Sequence, residues 1–165
     1  MLILLILASY LVGSLNVAIL VFRLLGKDDP RTTQSGNPGV TNVYRIAGVR
    51  WAALVLVSDM LRAAAVALAG VYFLENTAAL WLAPALLTGN IYPVFHKFSG
   101  GKGISNLLGF TCVLSPLGAG VSCAVWLIVH HVAKTSFIAS FAMLCVLVAG
   151  LLSVSDTALQ AIAPL

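Results

Sequence analysis

The chain has 165 residues, of which 61% are hydrophobic and 8% charged, with a mean hydropathy of +1.05 and a formal net charge of +4. Soluble domains carry about 45–50% apolar and about 25% charged residues, so this composition excludes an ordinary globular protein, a disordered chain and a nucleic-acid-binding domain. It identifies an all-α integral membrane protein, and at about 20 residues per span the length holds at most about seven short helices. One membrane domain over residues 1–165 is expected.

Met1 to Phe22 is apolar and lacks the basic residue that opens a cleavable signal peptide, so a first continuous membrane helix is expected. Residues 23–50 mix charges with Pro30, Gly36, Pro38, Gly39 and several Ser, Thr and Asn residues, a composition that predicts a long polar loop. Trp51 to Leu74 reads as a second helix, with a tight turn at Glu75-Asn76. Ala78 to Phe95 is a third helix whose later half should bend or unwind at Pro84, Gly89, Asn90 and Pro93. Residues 96–103 form a short glycine-rich basic loop. Ile104 to Leu114 follows as a helix of about 16 Å, half the hydrocarbon thickness, and is expected to begin inside the bilayer. After the break at Ser115-Pro116 and Gly118, Leu117 to Ala133 and Phe137 to Ser153 are further spans, separated by the polar point Lys134-Thr135-Ser136. Thr157 to Leu165 is too short to cross, so the last helix is expected to be incomplete.

Charge distribution predicts orientation. The segment 23–50 carries five bases and two acids, the loop 96–103 two bases, and Lys134 one more, whereas Glu75 and Asp156 lie on the opposite connections. Lys and Arg accumulate in short cytoplasmic loops, so the three basic points face the cytoplasm and the amino terminus lies outside. A parse that joins 104–133 into one kinked span would set Lys134 outside, against that rule. Cys112, Cys123 and Cys145 stand singly in apolar segments and read as small buried hydrophobes, with no metal or disulfide pattern.

The chemistry concentrates in two loops. The first holds Ser35-Gly36-Asn37-Pro38-Gly39-Val40-Thr41-Asn42 followed by Arg45, and the second Gly100-Gly101-Lys102-Gly103. Glycines let backbone N–H groups approach an anion, hydroxyl and amide side chains add donors, and Arg and Lys add charge. The pair reads as a phosphate site. Gly103 follows Lys102 where a Walker A loop needs Ser or Thr, which excludes that motif.

These residues, with Gly13-Ser14, Gly26-Lys27-Asp28, Asp59 and Pro93-Val94-Phe95, resemble the bacterial acyl-phosphate:glycerol-3-phosphate acyltransferases of the PlsY type from about Tyr10 to Ser140. The resemblance implies a seven-helix membrane bundle in the bacterial cytoplasmic (inner) membrane, with its active site facing the cytoplasm. The implied activity moves an acyl group from acyl phosphate to glycerol 3-phosphate, giving lysophosphatidic acid for phospholipid synthesis, with membrane lipids as surroundings and no metal, cofactor or nucleic acid. Ser35, Thr41, Arg45 and Lys102 are the expected catalytic residues, and Gly36, Asn37, Gly39, Asn42, Gly100, Gly101, Gly103 and Ser136 the expected substrate-binding ones. The sequence departs from the family pattern at Asn90 (usually His), Tyr92 (usually Phe) and Ile104-Ser105-Asn106 (usually Val-Ala-Thr). It also stops short of the complete seventh helix and its basic tail. An inactive relative that binds anionic lipid, or a small anion transporter using the same loops, are the alternatives.

Asp59 and Arg62 lie three apart on one helix face and are expected to pair structurally, which offsets the cost of charge in the membrane. His96, His130 and His131 read as solvated interfacial histidines. No His has an Asp five residues on, which argues against the H-x4-D acyltransferase chemistry.

Overall fold

The computed structural model describes residues 1–74 and 76–154. Within them lie eight α-helices and no strand: α1 (Leu2–Gly13), α2 (Val17–Leu24), α3 (Val40–Ala47), α4 (Val49–Phe73), α5 (Leu82–Ile91), α6 (Ile104–Leu114), α7 (Pro116–Ala133) and α8 (Ser136–Leu152). Short 3-10 turns at Asn76–Trp81 and Val94–His96 flank α5. Four stretches among the described residues are long and apolar enough to cross a membrane: Leu2–Leu24, Val49–Phe73, Ala78–His96 and Pro116–Ala133; α6 and α8 are apolar but shorter. The expected incomplete last helix at Thr157 to Leu165 lies outside the described residues, as does Glu75 of the expected tight turn.

The bent third helix and the helix at 104–114 are as expected: α5 stops at Ile91 before Pro93, and α6 has the expected bounds. Two of the expected segments need correction. The first helix is not continuous, because Ser14–Asn16 separate α1 from α2. Asn16 adopts an extended conformation and its Oδ1 accepts from the Ile19 N–H at 3.1 Å, capping a new helix. The polar segment 23–50 is not all loop either. Val40, Val43 and Ile46 recur on one face, and a helix forms there because Val43 is buried against the α2 and α4 residues Phe22, Ala52 and Val55.

Two apolar clusters result. The small one joins α2, α3 and the start of α4. The large one takes Ala63 and Ala67 of α4, Leu82 and Leu86 of α5, Leu107 and Phe110 of α6, and Leu147 of α8. Without a hydrophobic drive between helices in lipid, close backbone approach at small residues holds them together. A Cβ on Gly13 would overlap the Leu86 carbonyl and one on Gly89 the Tyr10 carbonyl, so α1 and α5 cross backbone to backbone. The cysteines are not buried: Cys112 is half-buried, and Cys123 and Cys145 are exposed. A chain whose outer face meets lipid gives a small hydrophobe no reason to be inside.

The Asp59–Arg62 pair is structural, and it has a further task. Arg62 Nη2 donates to Asp59 Oδ1 at 2.8 Å, while Nη1 donates to the carbonyls of Val12 (2.9 Å) and Leu15. A cation thus sits on the Val12 carbonyl in the last turn of α1, which also accepts from the Leu15 N–H, and on the Leu15 carbonyl just beyond it, suiting the helix dipole and giving backbone oxygens a donor that lipid cannot supply.

Candidate active site

The break between α1 and α2 positions the first loop. Asn16 Nδ2 donates to the Pro38 carbonyl at 3.4 Å, just ahead of α3. Asn42, buried on α3, donates through Nδ2 to the carbonyls of Pro30 (2.9 Å) and Thr33 (3.2 Å), and its Oδ1 accepts from the Ser35 N–H at 3.3 Å. Every polar atom of this side chain is therefore engaged by the loop, so Asn42 braces the Ser35–Gly39 segment from within. Thr41 and Arg45 lie four apart on another face of α3, Thr41 half-buried and Arg45 exposed to solvent. Ser35 and Gly36 are exposed at the tip, with Gly36 at φ +68. Asn37 Nδ2 occupies the space a Cβ on Gly39 would need.

The second loop folds back on α5. The N–H groups of Gly100 and Gly101 donate to the carbonyls of Ile91 (3.1 Å) and Asn90 (3.0 Å), two of the carbonyls the end of α5 leaves unpaired. These two glycine N–H groups are committed to α5, whereas the first turn of α6, just past Gly103, carries the N–H groups that a helix start leaves without an intrahelical partner. Gly103, in the left-handed region at φ +75, makes the turn into that helix. Its missing Cβ also leaves room for Leu87, and Asn90 Oδ1 sits beside both Gly101 and Gly103.

The two loops meet at Gly101. A Cβ there would lie 3.2 Å from the Pro38 carbonyl oxygen and 3.2 Å from Asn90 Oδ1. Lys102 next to it is exposed, with Nζ 4.5 Å from the centroid of the Phe137 ring, which sets the second loop against the start of α8 and half-buried Ser136. Gly101 thus touches the Pro38 turn and Lys102 the first turn of α8, while Asn42 and Gly100 spend their hydrogen bonds inward.

Three residues that the sequence reading did not place in the site hold it together. Asn16 and Asn90 reach the loops as described; for Asn16 the available signal is Gly13-Ser14 ahead of a capping Asn, and Asn90 has none beyond its place in the Gly89–Pro93 break. Arg31 is the third. Its Nε donates to Asp29 Oδ1 (2.9 Å), Nη2 to Asp29 Oδ2 (2.5 Å), and Nη1 to the carbonyls of His96 (2.7 Å) and Ser99 (3.1 Å). The Arg31 side chain holds the Asp29 carboxyl below the usual carboxylate range against the opposing effect of burial, and Asp29 in turn holds Arg31 above its ordinary value.

The histidines divide. His96 is 4% exposed rather than solvated, and among the described residues neither ring nitrogen has a hydrogen-bond partner; the 3-10 turn after Pro93 rolls the side chain inward. His130 is half-buried and stacks on Trp126 at 4.7 Å, and His131 is exposed. Among the described residues no group of three or more His, Cys, Asp or Glu side chains is arranged to hold a metal ion.

A family model described as glycerol-3-phosphate acyltransferase matches residues 3–164. The chain belongs to that family. The acyltransferase of Methylobacillus flagellatus is 40% identical over 136 residues, which cover 82% of this chain and 69% of that protein. The one from Hydrogenovibrio crunogenus is 45% identical over 130 residues, covering 78% and 62%. The crystal structure of PlsY, described as an integral membrane glycerol 3-phosphate acyltransferase, in its glycerol 3-phosphate form, superposes with a TM-score of 0.85 at 29% identity, covering 98% of this chain and 84% of that one. Its lysophosphatidic acid form gives 0.81 at the same identity. This member of the family is accordingly a bacterial membrane protein with the PlsY helical fold.

Proposed function

We propose that the protein transfers an acyl group from acyl phosphate to glycerol 3-phosphate, releasing lysophosphatidic acid and inorganic phosphate. The observation that carries this reading is the meeting of the two loops at Pro38 and Gly101, in a chain whose family is named for the acylation of glycerol 3-phosphate. Both substrates are anions, and acyl phosphate is already an activated mixed anhydride. The protein's main task is therefore to set two phosphates side by side and offset their repulsion.

In this mechanism Arg45 and Lys102 supply the charge, and the unpaired N–H groups at the starts of α3 and α6 supply directional donors. Ser35, Thr41 and Ser136 orient a phosphate or the attacking hydroxyl, while Gly36, Asn37, Gly39 and Gly103 shape the loops for close approach. The glycerol 3-phosphate hydroxyl attacks the acyl carbonyl, a new ester C–O bond forms, and the C–O bond to the donor phosphate breaks. The hydroxyl proton passes to a phosphate oxygen, so no protein base and no covalent enzyme intermediate is required. The acyl chain lies between helices and leaves laterally into lipid. The basic segments set this site at the cytoplasmic face of the inner membrane, with the amino terminus outside.

Purified protein given acyl phosphate and glycerol 3-phosphate, without metal or coenzyme A, should form lysophosphatidic acid. Arg45→Ala and Lys102→Ala should each weaken glycerol 3-phosphate or acyl phosphate binding by about ten- to hundredfold, the effect of losing a charge-assisted hydrogen bond, with membrane insertion intact. Unchanged affinity in both variants removes the phosphate-site reading. Labelling of a Gln34→Cys variant only from outside the cell would reverse the orientation.

A further inference from the structure

The proposed reaction needs two cationic elements in register, Arg45 on α3 and Lys102 in the second loop, yet these belong to segments that pack on different helices. The first loop is braced to α3 by Asn42. The second is hung from the end of α5 by Gly100 and Gly101. Neither arrangement fixes one loop relative to the other. Among the described residues, the hydrogen bonds that pass directly between segment 23–50 and segment 96–103 are those from Arg31 Nη1 to the carbonyls of His96 and Ser99. The His96 side chain adds nothing to this tie, since both of its ring nitrogens are unpartnered.

We infer that Arg31 is a positioning residue that sets the register of the two loops, with Asp29 orienting its guanidinium. The geometry suits that role and not substrate binding. The planar fork spends one edge on the Asp29 carboxylate and its remaining nitrogen on two carbonyls, so the group is charge-compensated and each of its three nitrogens is engaged. The Arg31 N–H also donates to Asp29 Oδ1 at 2.9 Å, which fixes the turn from which the side chain projects. Asn42 takes up the Pro30 carbonyl next to it, so a continuous path runs from α3 through Asn42, Pro30 and Arg31 to Ser99, one residue before the Gly100-Gly101-Lys102 run. Lysine cannot replace such a fork, because a single ammonium cannot hold a carboxylate edge and two carbonyls in one plane.

The inference rests on the acyl-transfer reading for its kinetic consequence but not for its structural one, and the test separates them. Each loop keeps its own anchor when Arg31 is lost, so each phosphate still binds, whereas the alignment of the two does not survive. In full-length protein that inserts and melts like the wild type, Arg31→Ala should leave the glycerol 3-phosphate dissociation constant unchanged and lower kcat by roughly ten- to hundredfold, the cost of a misplacement of about 1 Å. Arg31→Lys should fall between. Wild-type kcat in Arg31→Ala, or lost affinity at constant kcat, overturns the inference. Independently of turnover, spin labels at Gln34→Cys and Ser99→Cys, with Cys112, Cys123 and Cys145 replaced by Ala, should give a narrow distance distribution that broadens in Arg31→Ala. Broadening in a protein that shows no acyl transfer supports the latch and counts against the reaction instead; an unbroadened distribution overturns the latch.

Discussion

The loop-bearing half of the molecule and the α7–α8 hairpin are held by different physics. Around the loops, nearly every junction is a directional bond from a named polar group: Asn16 to Pro38, Asn42 to Pro30 and Thr33, Arg31 to His96 and Ser99, Arg62 to the end of α1. The hairpin relies on fit. Gly118 faces Gly150 at near backbone contact, Ala119 and Ser122 of α7 are buried, and Ala139, Met143, Leu147 and Leu151 form a stripe of four-residue spacing along α8. A side-chain bond between these two helices runs from Trp126 Nε1 to Ser140 Oγ, at 3.3 Å. Packing alone fixes the distance between two rods but tolerates sliding along them, whereas a loop that must present donors to an anion needs its angles fixed as well. Polar ties are spent where orientation matters.

The contrast is open to attack, and the heaviest blow should come from Arg62→Met. It strands a buried Asp59 and removes the Arg62 donor from the carbonyls of Val12 and Leu15, at a cost of about 3–5 kcal/mol; thermal melts in detergent and the yield of inserted protein read it directly. A melt equal to wild type would mean that fit, not polar bonding, holds the loop half too. On the other side, Gly118→Leu should push α7 from α8 and cost about 1–3 kcal/mol by overpacking. Glycerol 3-phosphate affinity in the protein that still folds should stay at its wild-type value, as read by titration.

The smallest effect concerns acidity. Asp29 has a folded pKa below its unfolded value of about 3.9, so its bond to Arg31 contributes fully above that pH and is lost as the pH falls through the lower folded value. Melting temperatures of wild type and Asp29→Asn should therefore differ from neutrality down to about pH 4 and converge below it. The difference is small because the Asp29 side chain is a third exposed. A gap that widens on acidification would contradict this assignment.

Hydropathy made the spans at 49–73 and 116–133 legible, and the punctuation Ser115-Pro116 and Gly103 located both ends of α6. The glycine-rich loops could be read as a pair because each combines turn residues with a cation, and the fold does bring them into contact at Pro38 and Gly101. Three things stayed hidden for physical reasons. An apolar run gives no hydropathy signal when it breaks, so the interruption at Ser14–Asn16 was invisible except as Gly13-Ser14 and a capping Asn. The amphipathic stripe Val40, Val43, Ile46 was masked by the polar residues around it. His96 looked interfacial because it borders the glycine-rich basic loop, whereas burial is decided by the direction the chain takes after Pro93. The division of labour within the loops was equally illegible: that Asn42, Gly100 and Gly101 spend their hydrogen bonds inward depends on partners such as the α5 carbonyls, brought close only by the fold.

The Arg62 cap carries a consequence for how the first span is completed. α1 has twelve residues and is about 18 Å long, too short to traverse the hydrocarbon by itself. The chain goes on through α2, and the Leu15 carbonyl in the break between them takes its donor from Arg62, 47 residues further along. The span that begins with α1 is therefore completed by a residue of the second long helix, and replacing that one side chain should loosen the break although every residue of α1 and α2 is unchanged.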